Sequence, residues 1–293
     1  MNMYMNKLLK TKDVDYVIAS DTDSIYVEMK ELVDRVFADQ TDKTKIVDSL
    51  DKFIQQKVES YIENCYKDLS VYMNSNLQKM KMKREIIAET AIWRKKKMYI
   101  MAAWDIEGVR YSEPLIKISG VEAIRSSTPH VCREALEKMY KIFLQGTEKE
   151  LIESISKFKE EHSKMPFEKI AKPSGVKGLK KYSDPVKLYK LGTPIHVKGA
   201  LIYNDMVKRK KLENVLPMIN EGDKIRFAYL KMPNPSYDTV IAAPDELPKE
   251  LGLDKYINVE EQFNKTFLEP VRSFAAVKGW DIERRASLDD FFS

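Results

Sequence analysis

Two short runs near the start of the chain are apolar and strand-like, Tyr16-Val17-Ile18-Ala19 and Ile25-Tyr26-Val27. β-Branched and aromatic residues on both sides of the polar cluster Ser20-Asp21-Thr22-Asp23-Ser24 predict a β-hairpin with that cluster at its turn. Met1 to Leu9, ahead of it, has helical composition. From Ile46 to Met73 the period changes: Ile46, Val47, Leu50, Phe53, Ile54, Val58, Tyr61, Ile62, Cys65, Tyr66, Leu69, Tyr72 and Met73 fall three and four apart. That spacing predicts one long amphipathic helix whose stripe faces a core. Lys83 to Glu89 reads as a strand, followed by Lys95-Lys96-Lys97-Met98-Tyr99 leading into the apolar run Ile100 to Trp104.

Beyond these, Thr128-Pro129 predicts an N-cap and a first-turn proline. They open a helix through Val131, Ala135, Leu136, Met139, Ile142 and Phe143 that ends at Gly146. Leu151, Ile152, Ile155 and Phe158 carry the pattern into a second helix. From Lys172 onward the chain is broken by Gly175, Gly178, Pro185, Gly192 and Pro194, which predicts loops. A small β-rich patch follows between Glu221 and Pro244. A closing helix runs from about Val259 to Val277, with Pro270 as its kink.

Composition adds limits. At 293 residues and 43% hydrophobic, the chain can bury a sizeable core and is expected to form two domains. No run of about 18 apolar residues is present, so no membrane span is expected, and the N-terminus lacks the apolar core of a secretory signal. Cys65 and Cys132 lie far apart within helical patterns and read as reduced core or near-core residues. Three scattered histidines give no zinc-site spacing. The net charge is only +5, but Lys172 to Lys211 holds ten Lys and one Arg against Asp184 and Asp205. A basic block inside an otherwise slightly acidic chain is the footprint of a phosphate-backbone contact surface; a solvated basic loop is the plainer reading.

The hairpin tip is the candidate chemistry. Asp21 and Asp23, one residue apart, would project carboxylates from one rigid turn. Oxygen donors gathered in that way suit Mg²⁺, a hard cation held by one or two carboxylates plus substrate phosphates. An Asx-type turn, in which Asp and Ser satisfy nearby backbone groups, explains the same letters.

Val17-Ile18-Ala19-Ser20-Asp21-Thr22-Asp23-Ser24-Ile25-Tyr26-Val27 resembles motif C of the family B DNA polymerases, in particular the replicative polymerases of T-even-type bacteriophages. Ala19 and Ser20 stand where most of the family has Tyr-Gly. Glu85 matches a glutamate that the family places on a palm strand beside the metal hairpin, where it would orient the metal-bound groups. Lys96, Lys97 and Tyr99 resemble the family's Lys-Lys-x-Tyr motif along the primer strand, with Met98 replacing a usual Arg. Lys117 to Pro129 resembles the palm-to-thumb junction and Pro194 to Asn204 a thumb segment. Leu288, Phe291 and Phe292 resemble the peptide that polymerases insert into a sliding clamp, although Arg285 stands in place of its Gln.

The resemblance implies an α+β fold: a partial palm, an antiparallel sheet with covering helices, then a mainly helical thumb with a small β-rich patch. The palm part would span 1–125, the thumb 126–285 and the clamp peptide 286–293. Asp23 would be the main metal ligand with Asp21 adjacent, in a two-metal Mg²⁺ site shared with a partner chain. Lys180, Lys181 and Lys198 would hold the duplex. Exonuclease domain, fingers and the palm strand with the other essential Asp are missing from these residues. The expected partners are therefore an N-terminal polymerase subunit supplying them, primer–template DNA, a deoxynucleoside triphosphate and a sliding clamp, in the host bacterial cytoplasm. The alternative is a catalytically inactive DNA- and clamp-binding accessory protein.

Overall fold

The computed structural model describes residues 1–282 and divides into two units, Met1–Lys117 and residues 118 onward. The fold is α+β, with small antiparallel sheets and covering helices.

In the first unit, α1 (Asn2–Leu9) leads to the hairpin β1 (Val17–Asp21) and β2 (Ser24–Val27). A short α2 (Lys30–Val36) follows, then α3 (Lys43–Phe53), a π-helical turn (Ile54–Glu59) and α4 (Ser60–Tyr72) in one continuous run. Asp42 caps that run by accepting from the Thr44 and Lys45 amides. Strands β3 (Ile86–Lys95), β4 (Met98–Ile106) and β5 (Val109–Ser119) form a sheet in that order, and β5 ends across the division between the units.

The long helix predicted from the apolar period is present, but its stripe is core only at the start. Ile46, Val47 and Leu50 pack with Ile87, while Val58 packs with Met5, Leu9 and Tyr16. Tyr61 stacks on Tyr4 of α1 at 3.9 Å. Beyond that the stripe runs into solvent: Leu69, Tyr72 and Met73 are 44%, 86% and 66% exposed. Cys65 is exposed too, which corrects its expected near-core place; Cys132 is buried, and burial pushes its thiol up to about 11.

Polar chemistry fastens α3 to the sheet. Asp105, fully buried on β4, pairs with both Arg84 and Arg110. Arg84 Nε also reaches Asp51 Oδ1 at 2.8 Å, and Arg110 reaches Asp48 at 3.0 Å and Asp51 at 3.1 Å. The Gly108 amide donates to Asp105 Oδ1 at 3.1 Å. A buried carboxylate is tolerable only with such partners.

In the second unit, α5 (His130–Gln145) and α6 (Glu148–Ser163) form as the apolar period predicts. Thr128 is buried and is not the N-cap of α5; Pro129, with ψ 143°, holds that place without a side-chain bond. Thr147 and Glu150 close α6 with a capping box. The remaining helices are α7 (Phe167–Ile170), α8 (Leu179–Tyr182), α9 (Ile195–Arg209), α10 (Val259–Phe263) and α11 (Glu269–Lys278). Strands β6 (Lys172–Gly175), β7 (Ser183–Asp184), β8 (Leu188–Tyr189), β9 (Lys224–Tyr229) and β10 (Val240–Ala243) make up the rest.

The expected β-rich patch is the sheet β10-β9-β6. Its third strand comes from the stretch read as loop, because Pro173 is tolerated on an edge strand such as β6. Helix α9 lies directly on β10. A Cβ on Gly199 would sit 2.9 Å from the Ala242 amide nitrogen and 3.1 Å from the Ile241 carbonyl carbon. Both atoms are backbone and cannot step aside, so Gly199→Ala should lower the stability of this unit by about 1–3 kcal/mol, measured by denaturant unfolding. The closing helix is one run of α10, a π-helical turn (Asn264–Leu268) and α11, and Pro270 stands in the first turn of α11, just after the hydrogen-bond register changes.

His162 is fully buried among Phe158 and Phe263, and neither ring nitrogen has a hydrogen-bond partner among the described residues. Burial drives its pKa down from 6.5 to about 4. Below pH 6.5 the unfolded chain binds a proton that the native fold refuses. Stability is therefore complete above pH 6.5 and falls as pH drops toward 4, by about 3 kcal/mol in all. His162→Leu should remove that part of the pH dependence in unfolding titrations.

Candidate functional site

Register sets the hairpin tip. Asp21 pairs with Ser24, so Thr22 and Asp23 alone make the turn. Thr22 takes φ 50°, and the Asp23 amide donates back to the Asp21 carbonyl at 2.6 Å, a γ-turn of the rarer positive-φ kind. A β-branched residue held there stores strain on the order of 1–3 kcal/mol, a cost that recurs at functional turns.

The carboxylates are not consumed by that turn. Ser24 Oγ donates to the Asp21 carbonyl at 3.1 Å, as an Asx-like reading would have it. The Asp21 side chain instead accepts from the Thr22 hydroxyl at 3.2 Å and faces Lys96 Nζ at 3.5 Å and Lys97 Nζ at 3.6 Å. Partial burial works against its ionisation, but Lys97, the Thr22 hydroxyl and Lys96 outweigh it and hold the carboxyl below the usual range. Asp23 is exposed and has no ion pair among the described residues.

Lys96 and Lys97 occupy the two-residue turn between β3 and β4, where Lys95 faces Met98 and Lys97 takes φ 61°. They are turn residues, while Tyr99 lies in β4. An aromatic cluster brings this turn beside the hairpin tip. The Tyr26 ring of β2 lies 5.1 Å from Trp93 and 5.8 Å from Tyr99, which are register partners across β3 and β4. Burial and a hydrogen bond with Tyr99 push the Tyr26 hydroxyl up to about 12, with Glu85 adding negative field. Glu85 itself is exposed, one residue ahead of β3, with no side-chain hydrogen bond to Asp21 or Asp23 among the described residues.

Elsewhere the predicted residues fall differently. Lys180 and Lys181 are exposed on α8, whose Gly178 and Leu179 amides donate to Glu221 at 2.6 and 2.7 Å. Lys198 is engaged within the fold. Its ammonium lies 2.7 Å from Asp238 and 4.8 Å from the centre of the Tyr189 ring, whose hydroxyl donates to the same Asp238 at 2.5 Å. Leu288, Phe291 and Phe292 lie outside the described residues.

Sequence reasoning missed the partners that place these groups: Tyr26 with Trp93, Asp105 with its two arginines, and Asp238 with Lys198. A turn at Lys96-Lys97 alone would set Arg94 opposite Tyr99, and a bulge between Trp93 and Lys95 brings Trp93 there instead. Arg110 faces Asp105 across the short β4–β5 turn, whereas the Arg84–Asp105 and Lys198–Asp238 pairs join residues too distant in sequence for any local signal.

Two carboxylates on a rigid tip are oxygen donors that fit a hard divalent ion as one part of its shell. Among the described residues no cluster of three His, Cys, Asp or Glu completes such a shell.

The comparisons with known proteins converge on this segment. A family model described as divergent family B DNA polymerase matches residues 8–160, more than half of the chain. The whole chain aligns with the DNA-directed DNA polymerase of Enterobacteria phage T4 at 32% identity and with that of Escherichia phage RB69 at 33%. Both alignments cover 33% of the relative, so the chain spans about a third of the length of the curated relatives it matches. The matched segment contains the hairpin tip and the lysine turn together, and the chain belongs to the divergent family B DNA polymerases.

Proposed function

We propose that this chain is the C-terminal part of a replicative DNA polymerase that works with an N-terminal subunit. The first unit is the C-terminal half of a palm, and the second is a thumb. The carrying observation is the division of labour at the tip, where Asp21 is engaged by two lysines and Asp23 is left exposed.

On this reading Asp23 is the ligand for Mg²⁺, with Asp21 beside it and the second essential carboxylate supplied by the partner. Bound Mg²⁺ supplies charge stabilisation at the transferring phosphate and a more acidic primer hydroxyl. The chain's own groups do the positioning. Asp21 keeps the ammonium groups of Lys96 and Lys97 at the tip, where they meet the phosphates of a primer end. Tyr99, locked in the aromatic cluster, braces the strand behind them. Glu85 adds negative field nearby. Exposed Lys180 and Lys181 hold the duplex by its backbone without reading its sequence, with Lys177, Lys187 and Lys190 exposed on the same stretch. The tail with Leu288, Phe291 and Phe292 docks a sliding clamp.

Mixing this chain with the N-terminal polymerase segment and assaying primer extension with deoxynucleoside triphosphates and Mg²⁺ tests the reading. Extension in the mixture, absent from either part alone, is the expected result. A mixture that binds primer–template but adds no nucleotide would make the chain an accessory protein instead.

A further inference from the structure

The α3–α4 helix carries one apolar stripe with two fates. Its first half, Ile46, Val47, Leu50 and Val58, is buried by the chain's own sheet and helices. Its second half is bare. Leu69, Tyr72 and Met73 continue the stripe at three- and four-residue spacing to the end of α4, and in the irregular chain that follows Leu77 and Met80 are 65% and 49% exposed. The apolar period does not weaken where the covering ends. A chain that evolved this helix end for water would carry polar residues at those positions. Contiguous exposed apolar side chains of this size mark a surface that another body covers.

Charge and chain length indicate the occupant. Lys79, Lys81 and Lys83 lie in the same stretch of chain as Leu77 and Met80 and are exposed without ion pairs among the described residues, so a covering surface that is apolar with an acidic rim complements it. The phage relatives align with the whole of this chain over a third of their length and hold about twice as much again. We infer that the ridge from Leu69 to Met80 is the docking surface for that remaining two thirds of the polymerase, a partner that meets the helix end with an apolar patch ringed by Asp and Glu. This rests on the reading of the chain as part of a polymerase. Tyr72, the most exposed large side chain of the ridge, is its anchor, since a buried aromatic at an interface centre carries a large share of binding.

Photo-crosslinking tests the surface directly. The full chain is made with p-benzoylphenylalanine in place of Tyr72 in the cells that naturally produce it, irradiated, and the adducts are sequenced by mass spectrometry. The expected adducts carry peptides that align with the T4 and RB69 polymerases outside the third matched by this chain. Adducts to a second copy of the chain, to its own residues 283–293 or to an unrelated protein would overturn the inference, as would no adduct at all. As a second measurement, Leu69→Glu with Tyr72→Glu should weaken association with the N-terminal polymerase segment at least tenfold while the melting temperature stays unchanged; unchanged association would overturn the inference. The crosslink and the primer-extension assay fail separately. Extension with adducts elsewhere rejects this surface alone, whereas the expected adducts without extension keep the surface and reject the catalytic reading.

Discussion

Asp23→Ala is expected to lower primer extension by the assembled polymerase about 10²–10³-fold, the scale of removing one charge-stabilising group from a preorganised site. The folded chain gives little reason for any other effect. Asp23 is exposed, sits at a two-residue turn and makes no ion pair among the described residues, so its loss should leave the melting temperature in place. Asp21→Ala should act differently. It releases Lys96 and Lys97 from their shared anchor, so it should cost about 10–100-fold, the range seen when a group that orients a site is lost. Equal losses from the two substitutions would contradict the separate roles given to them. Full activity in Asp23→Ala would remove that residue from the site.

Asp105→Ala should be the most destabilising single change in the first unit, by about 3–5 kcal/mol. The carboxylate is fully buried and answers two guanidinium groups, both of which also hold α3 through Asp51. Removing it leaves Arg84, whose side chain is 8% exposed, with Asp51 as its one remaining carboxylate and the Nη1 donor without its charged partner. Denaturant unfolding should show an early transition for residues 1–117, while the transition of the second unit holds its midpoint, since the chain divides into two units. A loss below about 1 kcal/mol would mean that the network contributes little beyond a surface ion pair.

Most of the architecture could be read from residue order. The strands around Asp21 and Asp23, the helix starting near Ile46 and the two helices after Pro129 all follow from local period and capping chemistry. What escaped were outcomes decided by long-range neighbours. The stripe through Leu69 and Tyr72 looks like core in sequence, because period reports that a face is apolar and not whether anything lies against it. Lys172 to Gly175 reads as loop because Gly175 and the breakers after it interrupt the chain, yet an edge position beside β9 accepts Gly175 and Pro173 alike. Lys198 looked like one more free cation of a basic block until Asp238, forty residues on, took it up. At the tip, the carboxylates were legible as a pair, but their unequal environments were not. That difference comes from the β3–β4 turn delivering Lys96 and Lys97 to Asp21, a contact spanning about 75 residues of sequence.

The claim that Asp23 binds the metal is tested most directly by changing the ligand atom and the ion together. Asp23→Cys places a thiolate at the tip, a soft donor that disfavours Mg²⁺ and accepts thiophilic ions. Primer extension by the assembled polymerase should collapse in Mg²⁺ and recover at least tenfold when Cd²⁺ or Mn²⁺ is supplied, with no such recovery in Asp23→Ala. Extension by Asp23→Cys that is undiminished in Mg²⁺, or that recovers equally in Asp23→Ala, would contradict the assignment of this carboxylate to the metal.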